Sequence, residues 1–367
     1  MEPYGRRAVV APGTPGRAWV DQPLDLRDLP VGTTSLGSAL VETHTDAFLV
    51  VHEGQLIMQW YAAPDRAALP QALMSLTKSF VGALAGILMH QGRLDPDALA
   101  TAYVPELERG GYAPATVRDL LDMRTGDDYR ETYGDPQAEV ELLGRALSDP
   151  PSAPDLRTQM ATMARPARHA GPFSYRSFDT LALGWVLERA GGASMPQLLA
   201  QHLLHPLGIE QPGSLGVDQS GWGNHAGGLA LTARDLARFA QMLLDGGSVG
   251  SRDVIPAAFI RDTRHGDATS QAAFQASAGA AQGATSAPRG IYRNQFWVPE
   301  QGARRLLGLG IYGQLLLADA DAAVAVVKLS SWPGPQDPER FSLGMACAQA
   351  VAEHLGGSPR PIRSTMI

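Results

Sequence analysis

Two stretches of strand-forming sequence near opposite ends of the chain constrain its fold more than anything between them. Near the start, residues 47–52 and 55–61 are rich in β-branched and aromatic side chains and flank Glu53-Gly54, which reads as a β-hairpin with a two-residue turn. Near the end, residues 310–318 and 323–329 flank a polar Asp319-Ala320-Asp321 turn and read as a second hairpin, followed by a closing helix over 338–355. The long middle reads as mostly helical. Helices are expected over 116–123, with Thr116 as N-cap, and over 179–189, 195–204 and 232–244. Strands at both ends with helices between imply that the termini build one sheet, which the helical insertion covers. A cleft between the two parts is the natural home for a site.

This organisation divides the chain into a Pro/Gly-rich extension at 1–40, a sheet domain from 41–80 and 290–367, and an inserted, mostly helical domain over 81–289. Two stretches, 149–172 and 267–290, are rich in small and turn-forming residues and are expected as loops at the cleft mouth.

Charge and cysteine content exclude several classes. The 30 basic and 37 acidic residues leave a net charge of −7, with no basic cluster to offset it, which argues against a nucleic-acid partner. Cys347 is the only cysteine, so no intramolecular disulfide can form, and it sits in an apolar run as a small hydrophobe. No run of eighteen apolar residues offers a membrane span, and the first residues lead into a Pro/Gly stretch rather than an apolar signal core. The expectation is a cytoplasmic protein acting on a small molecule, compatible with a homodimer, without cofactor or metal.

The chemistry is carried by Ser75-Leu76-Thr77-Lys78, a hydroxyl and an amine three residues apart where a Pro-containing segment meets an apolar, helix-forming run. At i and i+3 the two side chains share one helix face. A lysine so placed can act as a base only when neutral, a state that partial burial at the positive end of a helix favours. Alone the pattern is weak, since an N-cap serine followed by a solvated lysine fits it equally well. A second element raises its weight: Phe173-Ser174-Tyr175-Arg176-Ser177 follows a Pro/Gly loop and precedes a helix, so Tyr175 and Ser177 stand at a corner. A tyrosine there can relay a proton between a serine and a leaving group.

Other signals carry less. Gly246-Gly247-Ser248-Val249-Gly250 fits the nucleophile-elbow spacing but follows a helix rather than a strand, so it reads as a helix-capping glycine turn. Gly308, Gly310 and Gly313 mimic a dinucleotide fingerprint on a strand with no helix to bind phosphate. His202 and His205 share a helix face without a third ligand at metal spacing. His225, beside Ala226-Gly227-Gly228, stays open as a residue that touches substrate.

Taken in order, Ser75-x-x-Lys78, Thr116-Val117-Arg118-Asp119-Leu120-Leu121, Tyr175-x-Ser177 and Gly310-Ile311-Tyr312-Gly313 resemble the serine-reactive hydrolases related to class C β-lactamases and penicillin-binding proteins. Residues 45–50, 103–107, 232–238 and 327–333 extend the resemblance towards the nylon-oligomer (6-aminohexanoate-dimer) hydrolase branch of that family. The resemblance implies an α/β (α+β) fold of the β-lactamase/transpeptidase type, with an antiparallel sheet flanked by helices, an inserted helical domain and the site between. It implies Ser75 as the acylated nucleophile, Lys78 as its base and Tyr175 as the proton relay, with the backbone N–H groups of Ser75 and Ile311 as oxyanion hole. Substrate contacts are expected from Tyr133, Ser177, Trp297 and Tyr312, and from His225. The chain also departs from the pattern. Ser177 stands where the β-lactamases carry asparagine, Ile311-Tyr312-Gly313 replaces their Lys-Thr-Gly, and Tyr312 and Gly144 replace a histidine and an aspartate of the nylon-oligomer branch. The implied activity is hydrolysis of a small amide or ester through an acyl-enzyme. β-Lactamase or DD-peptidase activity, transacylation, and a catalytically silent binding protein of the same fold remain as alternatives.

Overall fold

The alternation of side chains along the terminal strands decides how this chain packs. The structure, a computed structural model, describes residues 5–14, 16, 18–20, 23–126, 129–148, 151–163, 171–277 and 289–357. Its principal strands are β1 (Arg7–Val10), β2 (Thr45–His52), β3 (Gln55–Tyr61), β4 (Gln71–Ala72), β5 (Gly213–Gly216), β6 (Leu229–Leu231), β7 (Ile291–Arg293), β8 (Phe296–Val298), β9 (Arg305–Gly310), β10 (Gln314–Asp319) and β11 (Val324–Ser330). The principal helices are α1 (Leu36–Glu42), α2 (Thr77–His90), α3 (Val117–Leu121), α4 (Ser177–Gly191), α5 (Ala233–Leu244), α6 (Ala257–His265) and α7 (Pro338–Gly356).

Seven strands form one antiparallel sheet in the order β7-β8-β9-β10-β11-β2-β3, so the N-terminal hairpin joins the C-terminal strands. Glu53 and Gly54 have φ of 50° and 76°, the pair of positive values that lets a two-residue turn follow the twist of its strands. Successive strand residues point to opposite faces. Leu49, Val51, Leu316 and Val327 therefore enter one core, and Phe48, Val50, Leu317 and Val326 the other. Helix α5 lies on the first face, and α1 and α7 on the second. Burial on both faces is why residues 47–51 form an unbroken apolar run.

The second face holds one anomaly. Lys328 of β11 is 1% exposed and donates from Nζ to Ser330 Oγ at 2.5 Å, its stem packed beside Gly344 of α7. Burial pushes its amine down to about 7.

Several expectations are corrected. Residues 310–318 are not one strand: β9 ends at Gly310, the chain turns over Ile311–Gly313, and β10 begins at Gln314. Tyr312 at φ 62° takes the backbone out of the sheet there. The extension expected to be irregular contributes β1 and the start of α1, and the middle contains an antiparallel sheet in the order β1-β5-β6-β4. Strands of two to four residues show too little alternation to stand out from sequence. Met195–Leu199 passes into a π-helical turn at Ala200–Leu204, and α4 starts at Ser177 rather than 179. Within the stretches expected as loops, Leu156–Thr162 and Ser270–Gln275 are helical, while 149–150, 164–170 and 278–288 lie outside the described residues.

Candidate active site

Ser75 sits in a single 3₁₀ turn, Met74–Leu76, between β4 and α2. The preceding Met74 has φ 48°, so the chain reverses sharply before entering the helix. The loop at 224–228 runs against this turn, and Thr77 Oγ1 fixes it by accepting from Leu229 N at 3.1 Å. One helical turn later comes Lys78, 1% exposed.

The Lys78 amine has three oxygen neighbours: Ser75 Oγ at 2.9 Å, Ser177 Oγ at 3.1 Å and Ala226 O at 2.8 Å. Burial lowers its pKa to about 8, and the Glu131 carboxylate pulls the other way. Desolvating an ion costs several kcal/mol. Burial is the larger of the two influences, and the more distant attraction of Glu131 offsets it only in part.

A neutral amine has two hydrogens and one lone pair, and its surroundings decide where each points. Ala226 O can only accept. Ser177 Oγ has its own proton committed to Glu131 Oε1 at 2.6 Å, so towards Lys78 it too can only accept. In the neutral form both amine hydrogens are thereby placed, and the lone pair faces Ser75 Oγ. The Tyr175 phenol lies close enough to the Ser75 side chain for that hydroxyl to act on its titration. Burial, and after it the charge of Glu131, push the Tyr175 phenol far above its usual value, opposed by the Ser75 hydroxyl. The phenol therefore holds its proton and is a donor. Its ring lies 5.0 Å from Lys78 Nζ.

Glu131 is the participant that sequence reasoning missed. It accepts from Ser177 N at 2.8 Å, Ser177 Oγ at 2.6 Å and Tyr133 OH at 2.7 Å. The signal available was a carboxylate between Tyr129 and Tyr133 in a non-periodic segment, which without coordinates does not separate from a solvated loop charge.

The hairpin β7–β8 supports the other side of the site. Asn294 and Gln295 form its tip at φ 53° and 67°. Gln295 ties three helices together: Ser79 Oγ of α2 donates to its backbone O at 3.2 Å, Thr180 Oγ1 of α4 donates to Oε1 at 2.7 Å, and its Nε2 donates to Leu120 O of α3 at 2.9 Å. Gly82 permits this, because a Cβ there would lie 2.1 Å from Asn294 O. Arg293 anchors the hairpin to Asp122 at 2.7 Å and to Asp262 and Asp267 at 2.8 Å. Two residues beyond the tip, Trp297 stacks on Tyr175 with centroids 5.4 Å apart and planes 17° apart, and Tyr292 meets both rings edge-on. The stack fixes the phenol beside Ser75.

The structure thus brings Ser75, Lys78, Tyr175, Ser177, Tyr133 and Trp297 together. Ile311 follows Gly310, where a Cβ would lie 2.6 Å from Leu73 O, so the end of β9 abuts the turn that carries Ser75. Tyr312 is half-buried on the Ile311–Gly313 turn that follows β9. Two expected substrate contacts are reassigned. Ser177 is 4% exposed and is taken up by Lys78 and Glu131. His225 is fully buried behind the lysine loop, 4.4 Å from the Trp222 ring and 3.6 Å from Glu188 Oε1, and packed on Gly184. The Tyr133 hydroxyl gives its proton to Glu131, so towards a substrate it can offer only an acceptor. Gly246 and Gly247 follow α5 at φ 70° and 105°, a helix-end turn. No group of three or more His, Cys, Asp or Glu that could hold a metal is found among the described residues. Among the same residues, no helix is long and apolar enough to cross a membrane.

Comparison with known proteins places these features in context. The protein-family profile described as Beta-lactamase matches residues 36–346. The 6-aminohexanoate-dimer hydrolase of Paenarthrobacter ureafaciens is 35% identical over 311 residues, covering 82% of this chain and 76% of that protein. Among solved structures, a protein from Bacillus anthracis provisionally named a 6-aminohexanoate-dimer hydrolase superposes with a TM-score of 0.85 at 26% identity, over 97% of this chain and 92% of that one. EstCE1, a hydrolase with promiscuous acyltransferase activity, superposes with a TM-score of 0.65 at 17% identity, over 85% and 98%, a likeness of fold.

Proposed function

Because the chain belongs to the beta-lactamase family of serine hydrolases, we propose that Ser75, Lys78 and Tyr175 are the groups with which it cleaves a small amide or ester through an acyl-enzyme. The observation that carries this reading is that Lys78 Nζ lies 2.9 Å from Ser75 Oγ while its other two oxygen neighbours can only accept, so that in the neutral amine the lone pair faces Ser75.

Ser75 Oγ bonds to the substrate carbonyl carbon as its proton passes to Lys78 Nζ. The carbonyl oxygen takes the negative charge and is met by the N–H groups of Ser75 and Ile311. When the intermediate collapses, the bond from carbon to the leaving nitrogen or oxygen breaks. Tyr175 gives that atom its proton and recovers one from Lys78. Water then attacks the acyl-enzyme, its proton returning along the same path, and Ser75 is released. Amines need protonation to leave more than alcohols do, so esters are the easier substrates.

The relatives named for 6-aminohexanoate-dimer hydrolysis favour a linear amide as natural substrate. The turn after β9 carries Ile311, Tyr312 and Gly313 and no lysine, so it offers no cation to a β-lactam carboxylate. Trp297 and Tyr312 line the acyl or leaving-group side. The proposal retains the division into 1–40, 41–80 with 290–367, and 81–289, although α5 of the inserted part lies on the sheet. It also retains a cytoplasmic location and compatibility with a homodimer.

The test is the mass of the intact protein after brief exposure to a p-nitrophenyl ester or a serine-directed phosphonate. One acyl or phosphonyl group should be added and should map to the peptide carrying Ser75. Absence of both adducts, or their presence on another residue, refutes the proposal.

A further inference from the structure

The turn over Ile311–Gly313 leaves the sheet at a place where the register would keep it paired. β10 and β11 match Leu315 with Lys328 and Leu316 with Val327, so continuing that ladder would set Gly313 opposite Ser330. The backbone does not take that position, because Tyr312 is left-handed at φ 62° and Gly313 at φ 85°. The side chain of Gln314 fills the place instead. Its Oε1 accepts from Ser330 N at 3.1 Å and its Nε2 donates to Ser330 O at 2.8 Å, the pair of bonds that the N–H and C=O of an opposing ladder residue would make. The same Nε2 lies 3.2 Å from Tyr312 O and 3.4 Å from Ile311 O. At 1% exposure the amide competes with no water.

We infer that Gln314 is the positioning residue of the oxyanion hole: its side-chain amide stands in for a missing ladder residue and holds the Ile311 N–H at the reacting carbonyl. The inference rests on the proposed role of Ile311 in acyl transfer and adds a residue to it. Without the amide, Ser330 N and O and the carbonyls of the turn lose partners in a dry environment, and the turn relaxes towards the sheet or away from it. Other contacts close the turn from outside. Tyr312 N donates to Pro335 O at 2.9 Å, and Gly313 packs so closely on Trp332 that a Cβ would lie 2.3 Å from its ring. Gln314 is the link on the sheet side, and Ser330, its partner, is in turn held by Lys328.

The experiment compares a p-nitrophenyl ester with its thiono analogue, in which C=S replaces C=O. Sulfur is a poor acceptor, so the preference for the oxo ester reports how well the oxyanion donors are aligned. In the wild-type protein the oxo ester should be strongly preferred. Gln314→Leu should lower kcat on the oxo ester by about tenfold to a hundredfold, leave KM within about twofold, and shrink the oxo-over-thiono ratio by the same factor as kcat. A loss shared equally by both substrates, with the ratio unchanged, overturns the inference. If Gln314→Leu does not fold, Gln314→Glu, which keeps the length and the acceptor but loses the donor, carries the same comparison. Failure of both variants to fold marks Gln314 as a structural residue and overturns the inference as well. Wild-type protein without the oxo preference, or without acylation at Ser75, defeats the underlying reading instead.

Discussion

Replacing Ser75 with alanine, or Lys78 with methionine, is expected to lower kcat/KM for a p-nitrophenyl ester on the order of 10⁴- to 10⁶-fold, and the double variant no further. The equality follows from the geometry. In the proposed mechanism Ser75 Oγ, 2.9 Å from Nζ, is a nucleophile only because the amine accepts its proton, so removing either group removes the same step. Lys78→Arg should be as inactive as Lys78→Met, because a guanidinium keeps its proton throughout the working pH range. Steady-state kinetics of the four variants beside wild type check this. A Lys78→Met variant within tenfold of wild type would mean that another group serves as base, and an additive double variant would mean that the two residues act separately.

Glu131→Gln is expected to do two things that can be measured apart. The carboxylate receives donors on both oxygens, Ser177 N on Oε2, and Ser177 Oγ and Tyr133 OH on Oε1. An amide must turn its NH₂ group towards one of those sides. Either Ser177 N is orphaned, or the Ser177 hydroxyl swings its proton towards Lys78 and competes for the lone pair meant for Ser75. Losing a hydrogen bond to a charged group costs about 1.5–3 kcal/mol. That corresponds to about a 10- to 150-fold drop in the plateau rate. The second effect has the opposite sense. Glu131 raises the pKa of Lys78 against the effect of burial, so removing its charge lets the amine fall below about 8. Activity requires the neutral amine. The acid limb of kcat/KM should therefore move to lower pH even as the plateau falls. A purely structural role would lower the plateau and leave the limb where it was.

The sequence revealed the features that are local in the chain. Ser75 and Lys78 meet because three residues of helix bring them together, and the hairpins at residues 47–61 and 314–330 announce themselves through β-branched runs, whereas the short β7–β8 hairpin does not. What it concealed depends on contacts across long separations. Glu131 matters because Ser177, forty-six positions later, turns its hydroxyl towards it. The same contact places Ser177, expected to touch substrate, between Glu131 and the Lys78 amine. Gln314 resembles any polar residue at the start of a strand until Ser330 is seen opposite it. His225 sits in a glycine-rich loop beside the lysine, which suggested exposure to substrate, but the missing side chain at Gly184 lets it sink into the interior. The interruption of 310–318 was hidden because a left-handed tyrosine leaves no mark in an apolar run.

The sequence contains only two lysines, Lys78 and Lys328, and burial lowers both, to about 8 and about 7. Protein labelled with ¹³C at the lysine ε position should therefore give two signals, assigned through Lys78→Met and Lys328→Met, whose titration can be followed beside kcat/KM. The Lys78 signal is expected to titrate near 8, with kcat/KM rising through the same pH and levelling above it. A Lys78 amine that stays charged to its ordinary pKa of about 10.4, while catalysis is already at its plateau near neutral pH, would contradict the account.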